Sequence, residues 1–513
     1  MLNIIKARDN TYSFFNCKFH CISIKYSGAV FEKLFFMLSG NKSQFLSTLV
    51  TATILAASSS YALSIDQYLG QVKGENGEYN AADQRDQAYE LLKKKAKLVT
   101  APNFFASAET GYNEQITALP FFRYNRVATQ NYSAGITQNS AFGVNSTFTY
   151  AFNKIAYNGL ATTNELATNN YQTRPVIAVT VPLLQNRFGS LTRATRDSIE
   201  QQNEALKYGA QSALLTTIIA AEQGYWNLSA MKKIVEIQQL AASQAQKILD
   251  YVKKKESMNL GETADVLQAR ALVETKKLEL RQAQNDLRQA ARNFNRFRYI
   301  NSDEVIDDLN DIDLAKIKNT TLPRLKESSR PDVKAAHANM KAAIAAAKVD
   351  EESNKPNLNL YGSYAFKGVQ AGATDAFNTS LNARGKEGLV GIKFSVPFYF
   401  GAIMDIQKGA RMNADAARSE YRQKAFNEDS DWENLLLNLA FYQEKTVLAK
   451  AIESAQKQKL ENERSLLKRG RTSTYQVLLF EQEYCQAQIN VIAGANNFLA
   501  LMAQKKLYEN LVK

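Results

Sequence analysis

A dense group of carboxylates is the most conspicuous chemical feature of this 513-residue sequence. Its members are Asp303, Glu304, Asp307, Asp308, Asp311 and Asp313. Carboxylates at this density can bind a cation, but the segment lacks the central glycine and the ligand spacing of a calcium-binding loop. We therefore interpret it as a solvated acidic belt.

Other residue types that are used in catalysis are scarce. The chain has three cysteines and two histidines, and only Cys485 and His337 lie beyond the export segment described below. One cysteine and one histidine cannot form an internal disulfide or a multi-histidine metal site. No nucleophile motif, metal-ligand spacing or phosphate loop stands out. The sequence therefore predicts a protein that is not an enzyme and uses no cofactor or metal.

The charge and hydropathy exclude two further classes of protein. The formal net charge is +13, but the basic residues are spread through helical patterns beside acidic neighbours. No basic segment is interleaved with stacking aromatics, so we expect no nucleic-acid partner. A mean hydropathy of -0.34 excludes a polytopic helical membrane protein.

A secretory signal is predicted at residues 37–62. Lys42 precedes an apolar run from Phe45 to Ala57, and small residues follow at Ser60 and Ala62. About 13 apolar residues are too few for a membrane anchor, which takes about 20. We expect cleavage after Ala62 and a true start at Met37, which makes residues 1–36 a mis-assigned N-terminal extension.

The rest of the chain is duplicated, with corresponding motifs about 210 residues apart. The corresponding pairs are Pro182 with Pro397, Trp226 with Trp432, Gly261 with Gly470, and Val266 with Val477. The predicted organisation is a first repeat at 63–298, an equatorial linker at 299–329, and a second repeat at 330–513.

Each repeat is predicted to contain one very long helix. The segments 189–256 and 401–468 run without proline for about 67 residues, which is about 100 Å of helix. Heptad patterns predict shorter return helices at 262–298 and 472–511. Short helices at 81–99 and 330–352 supply the missing length if each stacks end to end on a return helix. The expected product is the wall of a helical tube.

Strands are predicted only between the short and the long helix of each repeat, at 102–184 and 356–398. In the first set Phe148, Tyr150 and Phe152 share one face, and Asn145, Thr147 and Thr149 the other. This alternation fits a half-buried soluble sheet or a lipid-facing barrel. Export, aromatic content and the lack of a soluble core partner favour the barrel. Pro102, Pro182, Pro356 and Pro397 mark the predicted helix-to-barrel junctions.

The number of crossings is constrained by parity, since both ends of each strand set lead into helices on the same side. The second set is expected to cross twice. The alternation in the first strand set could form up to four strands. We expect two crossings there, with an extracellular hairpin around Ala141 to Gly143. Because open edges cannot stand in lipid, several chains must share one barrel.

The sequence resembles the TolC-like outer-membrane efflux and secretion channels, the outer membrane factors. Four segments carry the resemblance: "RPDVKAAHANMKAAIAAAKVDEESNKPNLNLYGSY" (Arg330 to Tyr364), "VPLLQNRFG" (Val181 to Gly189), "LGETADVLQARA" (Leu260 to Ala271) and "RGRTSTYQVL" (Arg469 to Leu478). The resemblance implies a mainly α fold with a β-barrel portion. Internally duplicated helical hairpins would form a periplasmic α-barrel, and a homotrimer would assemble a 12-stranded transmembrane β-barrel.

The resemblance also implies a function. The protein would be the outer-membrane channel-tunnel of a tripartite efflux pump or a type I secretion system in a Gram-negative bacterium. Its partners would be a periplasmic adaptor, an inner-membrane transporter and outer-membrane lipid. The alternative is a non-conducting periplasmic helical-hairpin protein of structural or adaptor type, which explains the heptads but not the two strand sets. The sequence does not identify the cargo.

Two groups of site residues follow from the resemblance. Leu260, Gly261, Arg469 and Gly470 would form the hairpin turns that dock the adaptor, and the glycines are expected to take positive φ, whether or not they only cap helices. Asp265 and Gln476 are candidates for a constriction at the tip. The tips are otherwise basic, which leaves solvated surface charge or a selectivity ring as interpretations.

Overall fold

The computed structural model describes residues 62–114, 124–160, 164–382 and 385–509. The predicted extension 1–36 and all of the predicted signal before Ala62 lie outside the described residues.

Two helices dominate the fold, and shorter helices complete it. The long ones are α5 (Ser190–Ser257) and α10 (Phe400–Lys468), with 68 and 69 residues. The others are α1 (Ile65–Glu75), α2 (Gly77–Leu92), α3 (Lys95–Leu98), α4 (Glu165–Thr168), α6 (Thr263–Phe297), α7 (Leu314–Asn319), α8 (Pro331–Ser353), α9 (Ala373–Leu381) and α11 (Thr474–Lys505). The predicted pair of long helices is thus present, and each spans about 100 Å. Sequence patterns did not predict α1, α4, α7 or α9.

The short helices stack end to end on the return helices, as predicted. At the first junction the Asn76 side-chain amide, which caps α2, donates to the carbonyl of Phe297 at the end of α6 over 3.2 Å. At the second, the amide of Ser328 donates to the carbonyl of Tyr508 over 2.9 Å, which joins the start of α8 to the end of α11. The stacked pair α8/α11 packs between α5 and α10, and α2/α6 packs on the other side of α5. The helices therefore form four columns, each about as long as α5.

Each repeat has its own aromatic core at the level of these junctions. In the first, the rings of Tyr68 and Phe294 stack 4.2 Å apart, and the Tyr225 hydroxyl donates to the carbonyl of Leu63 over 2.6 Å. In the second, Trp432 packs on Tyr508 with ring centroids 4.8 Å apart. The duplicated sequence thus produces two cores of similar composition.

The described residues contain one antiparallel sheet. Its strands are β1 (Asn103–Asn113), β2 (Arg126–Asn139), β3 (Asn145–Asn158), β4 (Asn169–Pro182), β5 (Asn357–Phe366), β6 (Gly368–Gln370) and β7 (Lys386–Ser395). Neighbours pair in the order β1-β2-β3-β4-β5-β7, and β6 pairs with β4. The two predicted strand sets are therefore one continuous sheet.

The first strand set has four strands, the largest number that its pattern allowed, and the prediction of an extracellular hairpin around Ala141 to Gly143 is wrong. The turn at Ala141 to Gly143 joins β2 to β3 at the end of the sheet nearest the helices, not at the far end. The cause is a contact with the β4-α5 joint: a Cβ on Gly189 would lie 1.9 Å from the carbonyl oxygen of Ala141, and one on Gly143 would lie 2.7 Å from Asn186. The lack of a Cβ at both glycines makes this close approach possible, and both also have positive φ, which favours glycine.

Candidate functional site

The sheet has one apolar face and one polar face across all six paired strands. The register places Ile136 opposite Phe148, Phe148 opposite Ile177, and Ile177 opposite Tyr364. The same face carries Phe104, Tyr132, Tyr150, Phe152, Val179, Leu360, Val390, Ile392 and Phe394. The predicted assignment of faces in β3 is confirmed.

Many apolar side chains on this face are exposed within the chain. Ile177 is 57% exposed, Val390 82% and Ile392 68%, although neighbouring strands flank β4 on both sides. A soluble sheet would cover such a face with helices, because exposed apolar area costs about 25 cal/mol per Å². The pattern is that of a wall that faces hydrocarbon.

Exposed aromatic rings follow the edge of the sheet nearest the helices. They are Phe104, Phe142, Phe188, Phe398 and Tyr399, each at least 67% exposed. Tyr112 lies at the far end of β1, eight residues beyond Phe104, which is a height of about 20 Å for a tilted strand. Aromatic girdles at about this separation flank the apolar band of transmembrane barrels.

The opposite face is polar and carries paired side chains. The hydroxyls of Ser107 and Ser133 are 2.8 Å apart, and those of Thr137 and Thr147 are 3.0 Å apart. Arg174 and Glu387 form an ion pair of 2.7 Å on the same face. Such a surface is suited to contact with water, as expected for the face of a barrel wall that does not meet lipid.

The four junction prolines stand where the chain passes between helix and strand. Pro102 and Pro356 come directly before β1 and β5, Pro182 ends β4, and Pro397 lies between β7 and α10. Proline lacks the amide that would continue a helix or a sheet ladder, which suits it to these positions.

The second hairpin turn is a Schellman motif with Gly470 at its left-handed position, φ 69°. The amide of Arg471 donates to Leu466 over 2.9 Å, and that of Gly470 donates to Leu467 over 3.0 Å. A positive φ is thus found for Gly470, as expected.

The first turn has the same motif, but Gly261 is not its left-handed residue. Asn259 takes φ 56°, and the amide of Leu260 donates to Lys255 over 2.9 Å. The expectation of positive φ at Gly261 is therefore wrong. Gly261 instead passes close to the end of α5, where a Cβ would lie 3.3 Å from the amide nitrogen of Glu256. Asn259 and Gly470 are 211 positions apart, the same offset as Val266 and Val477, and this register could have identified Asn259.

The other candidate tip residues occupy corresponding sites in the two hairpins. Asp265 and Gln476 lie in the first turns of α6 and α11, and both are partly exposed. Arg469 is the last residue before Gly470, and Leu260 is 71% exposed. The structure thus brings the four predicted docking residues to the two turns, one pair at each.

The acidic segment binds the helices through individual contacts. Arg298 donates to the Asp307 carboxylate over 2.7 Å, Lys233 pairs with Asp311 at 3.2 Å, and Asp313 caps α7. Within the described ranges no three His, Cys, Asp or Glu side chains meet as possible metal ligands. None of the described helices is long and apolar enough to cross a membrane.

Sequence patterns missed the short helix α9, which packs on the apolar face over β4 and β6. The Thr173 hydroxyl donates to the carbonyl of Ala376 over 2.6 Å, and the rings of Tyr150 and Phe377 are 5.8 Å apart. A Cβ on Gly368 would lie 2.1 Å from the Ala376 carbonyl oxygen, so only glycine permits this contact.

Comparisons with known proteins agree with this architecture. Residues 322–508 match the family model of outer membrane efflux proteins. The structure of the outer-membrane channel OprN is 17% identical with a TM-score of 0.60, over 86% of this chain and 89% of that one. The outer membrane protein VceC from Vibrio cholerae is 13% identical with a TM-score of 0.60, over 86% and 94%. The open state of the Neisseria gonorrhoeae MtrE outer membrane channel is 14% identical with a TM-score of 0.59, over 87% and 89%.

No curated protein matches the chain in sequence. At these identities the solved structures establish a shared fold, and the matched domain spans the end of the predicted linker, from residue 322, and most of the predicted second repeat. The chain therefore carries an outer membrane efflux protein domain at residues 322–508 and shares the fold of these outer-membrane channels.

Proposed function

We propose that this protein is the outer-membrane channel of a tripartite efflux pump, a homotrimer whose sheet crosses the membrane and whose helices extend through the periplasm. The observation that carries the proposal is the two-faced sheet, which continues directly into helices of about 100 Å. A non-conducting hairpin protein has no use for a sheet with an apolar outside and a polar inside.

The trimer is supported by an uncovered apolar stripe on α10. The stripe comprises Phe426, Leu437, Phe441, Leu448 and Ile452, each at least 55% exposed. These residues recur at a helical period and lie opposite Trp432, Leu435 and Leu439, which face the column α8/α11. Since α10 has a column of the same chain on one side only, a neighbouring copy is the partner whose geometry fits the stripe.

Adaptor docking is proposed for the two hairpin turns. Both turns lie at the ends of the long helices remote from the sheet, and both expose side chains: Leu260 in the first, Arg469 and Arg471 in the second. An exposed leucine beside a tight turn offers an apolar anchor, and the basic residues favour an acidic partner surface.

Reconstitution of the purified protein in planar bilayers tests the function. We expect single-channel conductance together with trimers that dissociate on heating. Leu437→Glu should prevent trimer formation by placing a charge in the apolar stripe, whereas Ala440→Glu, on an exposed flank of the same helix, should not. Trimers without any conductance would favour the non-conducting alternative, and an equal effect of both substitutions would exclude α10 as the contact.

A further inference from the structure

The sheet has six strands in one path and two open edges, and this count bears on the width of the channel. Its edges are β1, with 11 residues, and β7, with 10. We propose that β1 of each copy pairs with β7 of the next, so that three copies of six strands close an eighteen-stranded barrel. The proposal rests on the trimer of the proposed function, but it departs from the twelve strands that the resemblance implies.

The two additional strands are part of the wall. β1 pairs with β2 from Asn103 opposite Thr137 to Asn113 opposite Val127, the full length of β1. The ring of Phe105 lies over Gly135, where a Cβ would be 2.6 Å from it. The turn between β2 and β3 is held against Gly189 at the start of α5. A hairpin that folded away from the wall would have to break all of these contacts.

The strand register shows the tilt of a closed barrel. The row of opposite residues that begins at Asn103, the first residue of β1, reaches β7 at Leu389. Leu389 lies six residues from the end of β7 at Ser395 (395 − 389 = 6). Six residues rise about 20 Å, and five strand spacings cover about 24 Å. The tilt is therefore about 40°, within the range of about 35–45° for barrels.

The same progression predicts the seam between two copies. Each residue of this row can be placed by its distance, in residues, from the end of its own strand that is nearest the helices. That distance is 0 in β1, 2 in β2 and β3, 4 in β4, and 6 in β5 and β7. A further increase of two residues, to 8, at β1 of the neighbouring copy corresponds to Gly111, eight residues beyond Asn103. Leu389 therefore lies opposite Gly111 of that copy. Lys393 then lies diagonal to Glu109 on the polar face, which pairs opposite charges across the seam.

The width of such a barrel fits the helices beneath it. Eighteen strands at about 40° tilt give a diameter of about 36 Å, against about 24 Å for twelve. Three copies of four helical columns, spaced about 9 Å apart, form a ring about 34 Å across. The barrel would continue the tunnel without narrowing, so the outer-membrane portion would pass any solute that the tunnel admits, including compact peptides.

Cysteine cross-linking across the seam tests this inference on the full-length protein. Cys485, the one cysteine beyond residue 62, is buried and is replaced by serine to remove its background. Leu389→Cys is combined with Gly111→Cys, and in two further variants with Glu109→Cys or Asn113→Cys, so that neighbouring registers are covered. A Cβ at Gly111 meets only ordinary contact, 3.7 Å from Thr129, so the wall tolerates the substitution.

A short thiol-specific cross-linker should convert at least one of these variants to a covalent trimer that survives boiling. The comparison variant joins Leu389→Cys to Asn153→Cys on β3, the strand that would meet β7 if β1 and β2 lay outside a twelve-stranded wall. The eighteen-stranded barrel is overturned if only this comparison variant gives covalent trimers. It is also overturned if no variant does so while the protein still conducts as a heat-labile trimer. Either outcome leaves the proposed function standing. A protein that neither conducts nor forms trimers contradicts both.

Discussion

A charge at Ile177 is the sharpest test of the lipid-facing wall. Ile177 lies on the apolar face of β4, between Phe148 and Tyr364, and is 57% exposed. It stands five residues from Pro182, where the strand ends (182 − 177 = 5). At a tilt of about 40° this is a height of about 13 Å, which is the middle of an apolar band about 25 Å tall.

Lysine at the midplane of a transmembrane barrel costs about 2 to 4 kcal/mol. We expect Ile177→Lys to reduce the free energy of folding into the membrane by this amount in each chain, and by about three times as much in a trimer. The matched control is Ala178→Lys, which adds the same side chain one residue further along, beside Thr147 and Ser363 on the polar face.

The assay measures heat-labile trimers in the outer-membrane fraction and their unfolding by urea in detergent micelles. Ile177→Lys should reduce the trimer yield at least tenfold, because about 1.4 kcal/mol already corresponds to a factor of ten. Ala178→Lys should remain near the unsubstituted protein. If the two variants behaved alike, or if Ala178→Lys were the more damaging, the assignment of faces would be refuted.

Three further predictions concern the helices. Gly470→Ala should destabilise the second turn by about 1 kcal/mol, because residue 470 has positive φ, and the unfolding midpoint should fall. Gly209→Ala within α5 is the control and should be neutral or stabilising. Equal midpoints for the two variants would contradict the turn geometry. Burial opposes ionisation of Glu352, but hydrogen bonds from Lys355 and Lys348 outweigh it and lower its pKa, so Glu352→Gln should be less stable than the unsubstituted protein at neutral pH. That difference should disappear as the pH falls past the usual range of a glutamate and through the lowered pKa of Glu352, and a difference in stability that grew with acidity would contradict this reasoning. Leu260→Asp should abolish cross-linking to the adaptor while trimers and conductance persist, and unchanged cross-linking would remove the first turn from the docking surface.

The elements with a regular period could be predicted from the sequence. The long helices are free of proline for their full length, and β3, β5 and β7 alternate over most of their length, so length and face follow from local pattern. The end-to-end stacking followed from a length mismatch between long and return helices. These properties depend on residues that are neighbours in the sequence.

The errors all involve contacts between distant residues or a small shift in register. The turn at Ala141 to Gly143 is held against Asn186 and Gly189, and no local signal reports that contact. Residue type pairs Gly261 with Gly470, whereas the hydrogen-bonding pattern of the two turns pairs Asn259 with Gly470. Asparagine tolerates the left-handed conformation through its short polar side chain, so a rule that seeks glycine alone overlooks it.

The difference between the two repeats explains how the wall can widen without a change in the helices. The chain enters β1 and leaves β4 at the same end of the sheet, and it does the same at β5 and β7. Because entry and exit share one side, strands can be added only in pairs, and an added hairpin leaves the helix ends where they were. The first repeat has such a pair, while both repeats keep one long helix and one stacked column. The number of strands and the number of helical columns are therefore independent, and barrel width can follow the hairpin count while the tunnel keeps its own construction.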